Sequence, residues 1–196
     1  MAYDNELVAQ KLEVWDKYLD KYRLPTWEQI PNMGLYMDQV ISLVGRYLDK
    51  LFSDTDDITM ITPSTINNYV RLKIMPAPRK KRYYREHIAY LIVICSLKQS
   101  MSMSNIQKIL PADLDEEGVK KQYEAYVAQF AKMARFFLIQ SRLTAMPVVQ
   151  RRTDSDDAVE DLVRMGAILS VLFKIMSERI IDLQLPEPEE ANIGVS

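Results

Sequence analysis

Glycine is scarce in this sequence, with five in 196 residues. That leaves little of the turn chemistry on which many-stranded folds depend. A single cysteine, Cys95, excludes an intramolecular disulfide and gives no sign of a secreted scaffold. The only histidine is His87, so His and Cys together supply two ligands and a four-ligand zinc site of that kind is excluded. Long apolar runs are also missing. The two most apolar stretches, Ile88–Leu97 and Met165–Phe173, stop short of the roughly 18–20 residues a membrane span needs, and no membrane partner is expected. The first residues alternate charge with apolar side chains and hold no uninterrupted apolar region. No signal peptide is visible, and the cytoplasm is the default location.

What is present points to helices. Hydrophobic content of 48% and charged content of 27% are ordinary globular values, and the 11 Met are good helix formers. The net charge of −2 hides a strong asymmetry. Residues 1–61 carry 6 basic and 11 acidic side chains, and residues 109–196 carry 10 and 15. Between them, residues 62–108 carry 9 basic and one acidic, Glu86. A basic block between acidic ones is a regional feature that points to an anionic partner.

Apolar spacing predicts an all-α fold, a helical bundle with long C-terminal helices. Leu7, Val8, Leu12, Trp15 and Leu19 mark a first helix over 5–22, and Met37 to Leu51 a second over 36–52. The acidic stretch 53–57 reads as a loop. Thr62-Pro63 is a helix start, because Thr caps free N–H groups and Pro fits the first helical position. That helix is expected over 63–73, ended by Met75-Pro-Ala-Pro78. Arg79–Arg82 then reads as a short turn or wing, followed by helices over 85–99 and from Ser102 or Ser104 to about 110. From Val119, the positions Tyr123, Tyr126, Phe130, Met133 and Phe137 follow at alternating spacings of 4 and 3, a heptad seam. A last helix over 156–183 is apolar nearly all round its middle and must be buried by other helices, from this chain or a second copy. The expected division is N-terminal helices over 1–57, a helix-turn-helix module over 58–112, a C-terminal bundle and dimerisation region over 113–185, and a disordered tail over 186–196.

The central segment resembles the winged helix-turn-helix of MerR-type regulators. The residues that carry the likeness are Thr65-Ile66-Asn67-Asn68-Tyr69, Leu72-Lys73-Ile74, the run Arg79-Lys-Lys-Arg-Tyr83, and Ser102 to Leu110. Asn67 stands where that family has Arg, and Lys73 where it commonly has Gly. The chain also resembles a bacterial family of unknown function, the YkrK-like proteins. Trp27-Glu-Gln-Ile-Pro31, Leu35 to Val40, Ile61 to Tyr69 and the basic run ending in Tyr83 carry that likeness, over about residues 20–140. The MerR resemblance implies a DNA-binding transcriptional regulator.

From the residues themselves, Ser64, Asn67, Asn68 and Arg71 share one helix face, with Ile66, Tyr69, Val70 and Leu72 available for packing. Asn can pair with an adenine edge and Arg with guanine or phosphate. Arg79, Lys80, Lys81, Arg82 and Arg85 place five cations within seven residues, suited to phosphates. The expected interface therefore comprises Ser64, Thr65, Asn67, Asn68, Tyr69, Arg71, Lys73, Arg79, Lys80, Lys81, Arg82 and Arg85. Its partner is double-stranded DNA, read by a homodimer through its C-terminal helices, with no cofactor, no metal and no effector that can be named. The plainer alternatives are a solvated polar face and charge run, or a non-enzymatic helical adaptor whose basic segment docks an acidic protein. No acid, base or nucleophile converges to suggest an enzyme, and Cys95 reads as a core thiol. Asp54, Asp56 and Asp57, and Asp154, Asp156 and Asp157, lack the loop pattern of an EF-hand. Plain packing is the expected role of the Tyr123–Phe137 seam, ahead of a ligand pocket.

Overall fold

The computed structural model describes residues 3–52, 61–149 and 156–184. The loop expected over 53–57, Asp154, and the tail over 186–196 lie outside the described residues. Among the described residues the protein is all-α, with no strand. The helices are α1 (Asn5–Lys21), α2 (Met37–Phe52), α3 (Pro63–Arg71), α4 (Arg85–Leu97), α5 (Met103–Ile109), α6 (Glu116–Val149) and α7 (Asp156–Ile181), with a 3-10 turn at Trp27–Gln29. No described helix is long and apolar enough to cross a membrane.

Caps set most of the boundaries. Asp4, Thr62 and Ser102 each accept a backbone N–H three residues on, at 3.0, 3.1 and 3.2 Å, and so begin α1, α3 and α5. The 3-10 turn is closed by Gln29, whose side chain accepts the Thr26 N–H at 2.8 Å.

One core runs from Leu24 to Tyr123. It joins the 3-10 turn, α2, α3, α4, α5 and the first turns of α6, and so crosses the expected boundaries at 57/58 and 112/113. Helix α4 is its axis, with every residue from His87 to Ser96 buried. Tyr123 of α6 closes one side: its hydroxyl donates to the Pro25 carbonyl at 2.7 Å, and its ring lies 6.2 Å from Trp27.

The expected seam on α6 is only partly a core seam. Val119 and Tyr123 are buried and Tyr126 and Phe130 half-buried, but Met133 and Phe137 are exposed. From there α6 leaves the main core and carries α1 instead. Leu19 and Ala9 of α1 and Leu138 and Ala145 of α6 are buried, and Trp15 meets Phe137 edge to face at 5.4 Å. Arg142 closes this pairing with two hydrogen bonds to Asp16, at 2.7 and 3.0 Å.

Candidate nucleic-acid interface

Helix α3 buries Ile66 and Tyr69 and exposes Ser64, Asn67 and Arg71. Tyr69 was expected at the interface; at 2% exposure it is a core residue that anchors the helix and has no path to a ligand. Thr65 is committed to the cap, its hydroxyl 2.8 Å from that of Thr62. Asn68 accepts a hydrogen bond from Arg71 at 2.7 Å, which holds that guanidinium along the helix surface.

The helix ends two residues earlier than its expected limit of 73, and its end is well defined. The Ile74 N–H reaches the Tyr69 carbonyl and the Lys73 N–H reaches the Val70 carbonyl, both at 3.0 Å. This is a Schellman closure, which needs a left-handed residue after the cap. Lys73 takes that conformation at φ 54°. Ile74 then turns inward and is fully buried.

The wing is a two-residue hairpin. Arg79 and Arg82 exchange both backbone hydrogen bonds, at 3.0 and 2.9 Å. Between them Lys80 and Lys81 are both left-handed, at φ 51° and 62°. That pair of signs belongs to a type I′ turn, which ordinarily carries Asn-Gly. An L-residue with a Cβ is disfavoured there by roughly 1–2 kcal/mol.

The expected cations divide into two groups. Three arginines are tied into the fold. Arg82 donates to the Gly34 carbonyl at 3.1 Å and the Tyr36 hydroxyl at 2.7 Å, with its guanidinium 3.9 Å from the Tyr36 ring centre. Arg85 is half-buried, donates to the Ile30 carbonyl at 2.8 Å and lies 5.6 Å from the Trp27 ring centre. Arg79 pairs with Glu86 and covers the Tyr84 ring at 4.4 Å. Lys80 and Lys81 form the other group, exposed at the tip of the hairpin. Arg82 and Arg85 thus fasten the hairpin, and Lys80 and Lys81 are the cations that its tip presents.

Several fasteners carried no functional signal in the sequence. Gly34 is one. A Cβ there would stand 3.1 Å from both the Arg82 Cβ and the Tyr84 ring, so a larger residue would push the hairpin back by a few tenths of an ångström. Leu35 and Tyr83 exchange backbone hydrogen bonds at 2.8 and 2.9 Å, joining the hairpin to the chain before α2. His87 is another. Its Nδ1 accepts the Tyr84 N–H at 3.1 Å, so Nε2 carries the proton and donates to the Ala77 carbonyl, also at 3.1 Å. Burial pushes its pKa down, opposed by the Ala77 carbonyl and Glu86. The imidazole is thus a neutral brace across the base of the hairpin.

Burial pushes the Cys95 thiol up to about 11, so it is no nucleophile at neutral pH. The cleft lined by Tyr90, Tyr123 and Tyr126 measures about 130 Å³, below the ~300 Å³ at which small-molecule sites begin. Among the described residues no three or more His, Cys, Asp or Glu side chains form a group that could hold a metal ion.

Fold and site together define an all-α protein that presents a short lysine-tipped hairpin between two helices of one core. The chain belongs to the family described as Domain of unknown function (DUF1836), whose model matches residues 25–129. Those limits nearly coincide with the core running from Leu24 to Tyr123. Helix α1, the outer part of α6 and α7 lie outside them. No curated protein and no solved structure matches the chain.

Proposed function

We propose that the protein is a cytoplasmic, non-enzymatic regulator that binds double-stranded DNA through a MerR-like helix-turn-helix module. The observation that carries this reading is the Lys80-Lys81 tip. Two lysines occupy left-handed positions that Asn-Gly would fill at lower cost, on a hairpin fastened by Arg82, Tyr83, Arg85 and His87. Strain that the surroundings hold in place is characteristic of functional sites. The element order α2, α3, hairpin, α4, α5 supports the MerR-like reading, and so does the Schellman closure at Lys73. The YkrK-like likeness adds no activity to this reading.

In this reading the exposed face of α3, with Ser64, Asn67 and Arg71, enters the major groove, and the lysine tip meets phosphates. Asn68 holds Arg71 in place, and Lys73 adds charge at the end of α3. Non-specific affinity resides in the tip, and sequence preference resides in Asn67 and Arg71.

The test is Lys80→Asn combined with Lys81→Gly, which removes two charges while supplying the residues the turn prefers. Binding to selected and random duplexes is measured by titration at several salt concentrations. The variant should keep its fold, bind more weakly, and lose about 2 from the slope of log affinity against log salt, near 0.9 per phosphate contact. Equal binding by both proteins, or no binding at low salt, rejects the reading. Salt-sensitive capture of an acidic protein with no DNA would instead favour the adaptor.

A further inference from the structure

The middle of α7 presents a second problem, independent of the hairpin and of DNA. Every residue from Gly166 to Met176 is exposed, round the whole circumference of the helix. The sequence there is Gly-Ala-Ile-Leu-Ser-Val-Leu-Phe-Lys-Ile-Met, with one charge. Only Val159 and Ile181, near the two ends, are buried. Around this stretch, leaving aside Phe137, Ile139 and Met146 on the side of α6 that borders α1, α6 and α7 leave 12 large apolar side chains between 43% and 60% exposed, from Met133 to Ile180. At roughly half of ~180 Å² each, that is on the order of 1,100 Å² of apolar surface. The largest patch on an ordinary monomer is about 300–600 Å². A standard protein–protein interface buries about 800 Å² on each partner.

We infer that the Gly166–Met176 segment of α7, with the outer face of α6, is the interface at which two copies of this chain form a symmetric dimer. A helix apolar all round has to be enclosed on more than one side, and among the described residues α7 packs mainly against α5 and α6. A second copy supplies another α6 and α7, which completes a four-helix arrangement. The last twelve residues are a poor substitute. Residues 185–196 hold Glu187, Glu189 and Glu190 but only Leu185, Ile193 and Val195 as large apolar side chains. A membrane surface fits less well, because interfacial helices carry a lysine- and arginine-rich polar face. From Asp156 to Ile181, α7 carries five acidic side chains against Arg164, Lys174 and Arg179. Gly166 also has its place in this reading. A Cβ there would meet nothing within 4 Å in the single chain, yet glycine within a helix costs up to about 1 kcal/mol relative to alanine. Close approach of the second copy gives that glycine a purpose.

The experiment is the mass of the full-length protein by light scattering from about 1 to 50 µM, with melting temperature followed over the same range. The expected mass is twice 22.8 kDa, with a melting temperature that rises with concentration. Gly166→Trp and Leu172→Glu, each in open space in the single chain, should keep their helical circular dichroism at 1 µM and weaken the dimer at least tenfold. A monomeric wild-type protein overturns the inference. So does a dimer that either variant retains, or a monomer that co-floats with anionic vesicles.

Discussion

Helices α4 and α7 are built from nearly the same material and meet opposite fates. Both have apolar side chains on every side of their middle turns, Ile88 to Cys95 in one and Ala167 to Met176 in the other. Helix α4 is enclosed by α2, α3, α5 and α6, and none of its residues from His87 to Ser96 is exposed. Helix α7 touches α5 and α6 and keeps its middle uncovered. Composition says that a helix needs burying, but the chain's remaining elements decide whether one copy can do it. Here the elements that match the family model bury α4, and α7 lies beyond their reach.

The largest effect that would break this comparison comes from trimming equivalent side chains. Ile92→Ala, at a fully buried site, should cost about 2–5 kcal/mol in urea unfolding at any concentration. Leu172→Ala, at a site 56% exposed, should cost within about 0.5 kcal/mol at 1 µM and more only where the protein associates. An equal cost at low concentration would mean that α7 is packed inside its own chain.

An intermediate effect comes from acid, and it sharpens the contrast. Helix α4 begins on a buried neutral histidine, while no buried charged or titratable side chain occurs in the described part of α7. Burial lowers the pKa of His87 in the folded chain, so the unfolded chain takes up a proton that the folded one resists. Stability is therefore full above the ordinary histidine value of 6.5 and falls as pH drops below it, by up to about 1.4 kcal/mol per pH unit. His87→Gln should flatten that decline in unfolding curves measured from pH 7.5 to 5. A decline that persists in the variant would place the sensitivity elsewhere.

The smallest effect separates stability from association. Lys73→Gly relieves a left-handed lysine at the end of α3, and should raise stability by about 1 kcal/mol without altering the mass in solution. A loss of stability would show that the Lys73 side chain contributes more than its strain costs.

Parts of this organisation are readable from sequence because they are local. Thr62-Pro63 announced the start of α3, and Pro76-Ala-Pro78 its separation from the hairpin. The helix expected over 85–99 with its apolar string is α4, buried from His87 to Ser96. The hairpin geometry was hidden, because Lys80-Lys81 lacks the Asn-Gly signal and only the surrounding fasteners impose the turn. Those fasteners come from residues 30, 34, 35 and 36, about 50 positions upstream, and no spacing rule connects them to the wing. Tyr69 carried two readings, contact and packing; three residues after the buried Ile66, it lies on the face that packs. The heptad seam of α6 was read as one surface, although its first half packs into the core and its second half is left half-exposed, with Phe137 against Trp15 of α1.

The bond between Arg142 and Asp16 spans 126 positions of the chain, and so bears on how the protein is made. At roughly 5–20 residues per second, α1 waits about 6–25 s on the ribosome for the stretch of α6 that receives it. The buried positions of the main core end at Tyr123, so all of them are made before that stretch. During the interval the apolar face of α1, with Trp15 at its centre, stays open to chaperones and to the α1 helices of neighbouring nascent chains.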